Sequence, residues 1–146
     1  HMTIREYKKG DFEGIVNLWV VTGMGRPERG DDAQIIERSL AMGGCMLIMT
    51  DDESGKIIGT SWITFDGRRL FMHHFGIIPE YQGRGLSKEL LKKSLDFVKQ
   101  KGIQVKLEVH RNNTIARNLY INAGFEYLGD YDVYIMRDLD KIRNQV

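Results

Sequence analysis

The sequence is short of the residues that would place it in several common classes. It carries one cysteine, Cys45, in 146 residues, so no internal disulfide can form. No apolar run approaches the roughly 20 residues that a helix needs to cross a bilayer. Neither sign of charge dominates: 21 Lys and Arg against 20 Asp and Glu leave a formal charge of +1. Such a balance provides no broad field for nucleic acid or for a membrane surface, and neither is expected as a partner. No secretory pattern opens the chain, and a cytoplasmic location is expected. There are two prolines, no internal repeat, no linker and no low-complexity tract. Residues 1–146 are expected to form a single domain around one core, with His1 a remnant of tag removal ahead of Met2.

What is present is a dense alternation of short patterns. Thr3 to Tyr7 alternates as a strand, and Asp11 is placed to cap a helix carrying Phe12, Ile15, Val16 and Trp19. The stretch TGMGRPERGDD reads as a loop. Asp31 or Asp32 then caps a second helix through Ile35, Ile36 and Leu40 that stops near Gly43-Gly44. CMLIMT and KIIGTSWITF flank an acidic turn as an antiparallel pair, and Asp66-Gly67 leads to a further strand, LFMHHFGII. A helix from about Ser87 to Gln100 ends at Gly102, and VKLEV follows as a strand. NNTIARNLYINAG forms a short capped helix, and FEYLGDYDVYIMRDL is expected to supply a last pair of strands. The order is that of a mixed α+β sheet of six to seven strands, mostly antiparallel, flanked by about four helices.

The junction IIPEYQGRGLSKELL raises the question of function. Its glycines sit where a strand passes into a helix, and such a junction offers unpaired N–H groups and the positive end of a helix dipole to an anion. A GxxxxGK[ST] loop is absent, and a GxGxxG fingerprint fails because Lys88 stands in place of the third glycine. The spacing [RQ]xxGx[GA] remains. Gln82 and Gly85 meet it, and Ser87 departs from the last position while staying small. After one intervening strand, Asn113, Ala116, Leu119, Tyr120, Gly124 and Phe125 fill N-x-x-A-x-x-L-Y-x-x-x-G-F.

With both motifs present in order, the chain resembles the GCN5-related N-acetyltransferase (GNAT) superfamily over roughly Leu70 to Phe125. It is most similar to small single-domain bacterial members, of the YpeA-like or ribosomal-protein N-terminal acetyltransferase type. The resemblance implies an enzyme, an acyltransferase that uses acetyl-CoA, and a fold with a splayed cofactor cleft. It implies that the N–H groups of Gly83, Arg84, Gly85, Leu86 and Ser87 receive the pyrophosphate, with Gln82 in the motif and Arg84 adding charge. The strand backbone at Phe75, Gly76 and Ile77 would bind the pantetheine arm, and Asn113 and Ala116 would help hold the cofactor. Tyr120 would protonate the departing thiolate.

A base must also act, since an amine attacks only when neutral. The resemblance offers two: Glu108, twelve positions before Tyr120, and His73, a strand histidine of suitable ordinary pKa. On a regular strand His73 and His74 would point to opposite faces, so together they could not chelate one metal, and none is expected. His110 and Cys45 read as structural. The resemblance implies that the acceptor is a small-molecule amine or a peptide N-terminus, expected to bind between residues 22–32 and the hairpin near Asp66. Asp31, Asp32 and Asp66 would suit a cationic amine, while Arg26, Arg29, Arg68 and Arg69 would suit one bearing a carboxylate or phosphate. Direct transfer in a ternary complex is expected, by a monomer or a homodimer. A non-catalytic acyl-CoA sensor of the same fold is the alternative.

Overall fold

The computed structural model describes residues 1–142. The chain divides into two compact units, His1–Glu108 and a second that begins at Val109. The first contains a five-stranded sheet in chain order: β1 (Met2–Glu6), β2 (Cys45–Asp51), β3 (Lys56–Phe65), β4 (Leu70–Ile77) and β5 (Val105–Leu107). The first three pairings are antiparallel, and β4 runs parallel to β5. A parallel pair requires a long crossover, which α3 (Leu86–Lys101) provides.

Alternation along β3 distributes the helices. Thr60 and Trp62 point to one face and Ser61 to the other. The Trp19 indole of α1 (Phe12–Thr22) donates to Thr60 Oγ1 at 3.0 Å. That of Trp62 donates to Ser39 Oγ of α2 (Ala33–Ala41) at 2.9 Å. On the opposite face Ser61 and Ser94 of α3 share a hydrogen bond of 2.7 Å. Thus α1 and α2 cover one face and α3 the other, around a core that includes Trp19, Ile36, Ile48, Ile63 and Leu90. Each such side chain contributes roughly 1.5–3 kcal/mol by leaving water. The buried hydroxyls and indoles do not oppose this, because they satisfy one another.

The helix starts use their carboxylates differently. Asp32 caps α2, its Oδ1 accepting from Ile35 N at 2.9 Å. Asp11 occupies the cap position of α1 but makes no side-chain cap. Its two oxygens instead accept from Arg5 at 2.8 and 2.9 Å, and Oδ2 also accepts from Lys8 N. A forked ion pair outcompetes a single cap bond.

The second unit contains α4 (Thr114–Asn122), where Asn113 Oδ1 accepts from Ala116 N at 3.2 Å. The two strands expected in FEYLGDYDVYIMRDL are not formed among the described residues. Gly129 and Asp130 take successive positive φ values of 58° and 57°, as a tight turn does. No ladder flanks that turn, and Tyr127, Tyr131, Tyr134 and Ile135 stay exposed. The alternation there records strand propensity, but a strand also needs a partner for its backbone groups. Among the described residues the sheet of the α+β fold therefore has five strands, not six to seven.

Candidate functional site

The register of β3 and β4 slips within the segment that the sequence marks out. Trp62 pairs with His73 and Thr60 with Gly76, so β4 carries one residue more than β3 between these pairs. His74 absorbs it with φ at +46°, a conformation uncommon for a non-glycine residue and frequent at functional sites. The bulge overturns the expectation that the two histidines point apart. Their rings lie 6.3 Å apart, and both contact Trp62, at 6.0 and 5.5 Å. Trp19 stacks on Trp62 at 5.8 Å and meets His74 edge-on at 4.5 Å. Thr60 Oγ1 donates to the carbonyl of His74 at 2.7 Å and fixes the bulge from the neighbouring strand.

His74 also binds the connection between α1 and α2. Its Nε2 lies 3.0 Å from Asp31 Oδ2, both side chains being half-buried. Gly25 makes this approach possible, because a Cβ there would stand 2.7 Å from His74 Nε2 and 2.8 Å from Asp31 Oδ2. Sequence reasoning did not single out His74. The signal that could have found the break in alternation is Gly76, two residues on, a residue type suited to a bulge. Of the three acidic candidates, Asp31 makes this pair and Asp32 caps α2. Asp66 Oδ1 accepts from the N–H groups of Arg68 and Arg69, at 2.7 Å each, and these bonds hold its carboxyl below the usual range.

Beyond the bulge, β4 runs through Phe75 and Gly76 to Ile77, while the β4–β5 ladder ends at Met72 and Leu107. After a 3-10 turn at Pro79–Tyr81, Gln82 Nε2 donates back to the Ile77 carbonyl at 2.8 Å and ties the loop to the strand end. Gly83 and Gly85 have φ values of 81° and 77°. Gly85 is the N-cap residue of α3 and has no side chain with which to cap it, so the first N–H groups of the helix, from Leu86 and Ser87 on, lack an intrahelical partner. Nothing lies within 4 Å of where a Cβ on Gly83 or Gly85 would stand. Unpaired N–H groups at the positive end of a 16-residue helix suit an anion. Arg84 sits over the Tyr81 ring at 5.0 Å, and the Tyr81 hydroxyl donates to Asp51.

The other expected site residues fall as follows. Tyr120 on α4 is buried, its ring edge-on to Phe125 at 5.7 Å, and burial pushes its hydroxyl up to about 12. Asn113, expected to hold cofactor, spends its side-chain oxygen on capping α4, and Ala116 supplies the N–H. Glu108 is exposed one residue past β5. His73 is stacked on Phe71 at 4.3 Å and hydrogen-bonded through Nε2 to Thr64 Oγ1 at 2.8 Å. Burial first, then the adjacent His74, lowers it to about 4, only partly opposed by Asp31. The Cys45 thiol is buried and pushed up to about 11. His110 Nδ1 accepts from Asn112 N at 3.2 Å. Among the described residues there is no group of three or more potential metal ligands, and no helix is long and apolar enough to cross a membrane.

Residues 12–125 match the model of the Acetyltransferase (GNAT) family, and the chain belongs to that family. The solved structures that share its fold include the following three. AAC(6')-Iy in complex with a bisubstrate analog, CoA-S-monomethyl-acetylneamine, is 22% identical, with 94% of this chain and 99% of that one covered at a TM-score of 0.72. The ribosomal-protein-S18-alanine N-acetyltransferase from Escherichia coli is 19% identical, with 86% and 78% covered and a TM-score of 0.72. The PaiA N-acetyltransferase from Thermoplasma acidophilum in complex with coenzyme A is 22% identical, with 90% and 93% covered and a TM-score of 0.71.

Proposed function

We propose that this chain is a cytoplasmic N-acetyltransferase that transfers the acetyl group of acetyl-CoA to a primary amine by direct attack in a ternary complex. The observation that carries the reading is the turn Gln82–Ser87, with two left-handed glycines and an uncapped helix start, placed directly after a bulged strand in a GNAT-family chain. Two of the fold's relatives are complexes with coenzyme A or a bisubstrate analog of it, which supports the same cofactor here. The family match crosses from the first unit into the second, which supports one functional domain over residues 1–146.

Acetyl-CoA would supply the thioester that the amine attacks and would leave as the thiol. The N–H groups of Gly83 to Ser87 hold the pyrophosphate without a reorganisation cost, since the glycines have already set their directions. The backbone from Phe75 to Ile77 aligns the pantetheine arm as an added strand would. Tyr120 gives its proton to the thiolate. Its hydroxyl is protonated at neutral pH, as a donor must be, while burial, which raises it to about 12, makes it a weaker acid than an exposed tyrosine. Glu108, exposed and beside the end of the β4–β5 ladder, accepts the proton of the amine. His73 is buried, with its ring stacked on Phe71 and its Nε2 engaged by Thr64 Oγ1, and it shapes the site through those contacts instead. Cys45 is too buried and too weak an acid to form an acetyl-enzyme.

The reading is tested by incubating the protein with acetyl-CoA and a panel of amines and peptide N-termini while following thiol release and product mass. Acetylated product with a stoichiometric thiol supports it. Tight acetyl-CoA binding with no transfer to any acceptor would favour the sensor, and absence of binding would overturn the assignment.

A further inference from the structure

On the face covered elsewhere by α1 and α2, the sheet has a cavity of about 230 Å3 at the β3–β4 hairpin, lined by Thr64, Arg68, Arg69, Phe71, His73 and Lys106, together with Asp66. The register explains its composition. Thr64 pairs with Phe71 and Phe71 with Lys106, and side chains of paired residues stand on one face, as do those of Trp62 and His73. The floor is the Phe71–His73 stack, with Lys106 Nζ 5.3 Å from the Phe71 ring centroid. The walls are cationic. Three cations face one carboxylate, and that carboxylate is already engaged by the two N–H groups of its own turn. Arg68, Arg69 and Lys106 have no carboxylate within ion-pair distance among the described residues. His73 adds no charge at neutral pH, being held neutral.

A larger cavity, about 540 Å3, lies around Arg5, Asp11, Lys56 and Glu80. There the charges are matched, Arg5 to Asp11 at 2.8 Å and Lys56 to Glu80 at 3.9 Å, so nothing remains to recognise a ligand's charge. The smaller, unmatched one is the candidate for a ligand.

We infer that the cavity at the hairpin is the acceptor subsite, and that the acceptor is a small primary amine bearing an anionic group, a carboxylate or a phosphate. The inference rests on the acetyltransferase reading and extends it to the class of acceptor. Glu108 lies two residues along the chain from Lys106, just past the end of β5, so their backbones stand within about 7 Å of each other. An acceptor whose anion meets Lys106 and the two arginines thus presents its amine to Glu108 when a few bonds separate the two groups. The Phe71–His73 stack supplies an apolar floor for those bonds. Among the acidic residues considered for a cationic acceptor, Asp31, Asp32 and Asp66 are all engaged, by His74, the α2 start and the hairpin turn.

The test compares matched acceptors by thiol release: 4-aminobutyrate against butylamine, phosphoethanolamine against ethanolamine, and spermidine as a polycation. The carboxylate and phosphate arms separate the two anion sources. The expected result is a kcat/KM at least roughly tenfold higher for the anionic member of one pair, falling as salt screens the contact. An Arg68→Ala/Arg69→Ala double variant removes side chains but not the N–H groups that Asp66 holds, and Lys106→Ala removes the third cation. Each should erase most of that preference by raising KM, with coenzyme A affinity unchanged. Equal or better use of the neutral or polycationic member, or a preference that survives both variants, would overturn the inference and leave the acetyltransferase reading standing. Acetyl-CoA binding without thiol release from any member would overturn both.

Discussion

His73 offers a quantitative test of the environment that the bulge creates. Its folded-state pKa of about 4 lies below the ordinary 6.5 because the ring is buried and faces His74. With the folded value depressed, the unfolded chain binds the extra proton between those two values. The contribution to stability is complete above pH 6.5 and is lost as the pH falls through the window toward 4. A shift of this size is worth about 3 kcal/mol in the limit, and at pH 5 linkage gives a loss of about 2 kcal/mol relative to pH 7.5. The variant His73→Phe keeps an aromatic ring on Phe71 but cannot titrate, and it removes the hydrogen bond between Nε2 and Thr64 at a cost of about 1 kcal/mol at either pH. Urea unfolding at pH 7.5 and pH 5 should show the wild-type midpoint dropping by roughly 1 M more than that of the variant. If both proteins lose the same stability between the two pH values, His73 is not buried in its neutral form, and the environment assigned to the bulge fails with it.

Three further outcomes are expected. Tyr120→Phe should lower turnover about 100-fold to 10,000-fold with little change in acetyl-CoA affinity, as loss of a positioned acid does; steady-state kinetics beside calorimetry would show whether Tyr120 only packs. Glu108→Gln should lower kcat/KM for the working acceptor, and the acidic limb that remains should be the amine's own, a limb that His73→Ala leaves in place; an unchanged rate would remove Glu108 from the reaction. Asp11→Ala should cost about 1–3 kcal/mol in chemical denaturation at neutral pH, since Arg5 loses a forked partner whose carboxyl that hydrogen bond holds below its ordinary range; because the carboxyl is depressed, wild type should lose this advantage as the pH falls through the folded value.

Much of the fold was legible because local rules and tertiary structure agree. Asp32 and Asn113 cap as their spacing suggests, Gly102 ends α3, and Asp66-Gly67 turns the β3–β4 hairpin. The glycine turn was legible for the same reason, since only backbone conformation makes that motif. What the sequence hid depended on partners far along the chain. The His74–Asp31 pair joins residues 43 positions apart, and a single inserted residue in β4 decides which way both histidines face. Asp11 was taken for a cap because Arg5, its actual partner, is brought to it by the fold of the preceding turn. The last two strands were read from alternation, which does not specify a partner ladder.

The most direct test of the central claim is titration calorimetry of acetyl-CoA into the wild type and two glycine variants, with circular dichroism to establish that all three are folded. Gly85→Glu puts a carboxylate and a side chain where the pyrophosphate would lie, at φ +77° at the start of α3. Gly102→Glu imposes a comparable backbone penalty, at φ +69°, beyond the other end of the same helix. The account predicts that the wild type and Gly102→Glu bind acetyl-CoA alike and that Gly85→Glu does not bind it. Undiminished affinity in a folded Gly85→Glu protein would contradict the account, because the turn between β4 and α3 would then not be the cofactor site.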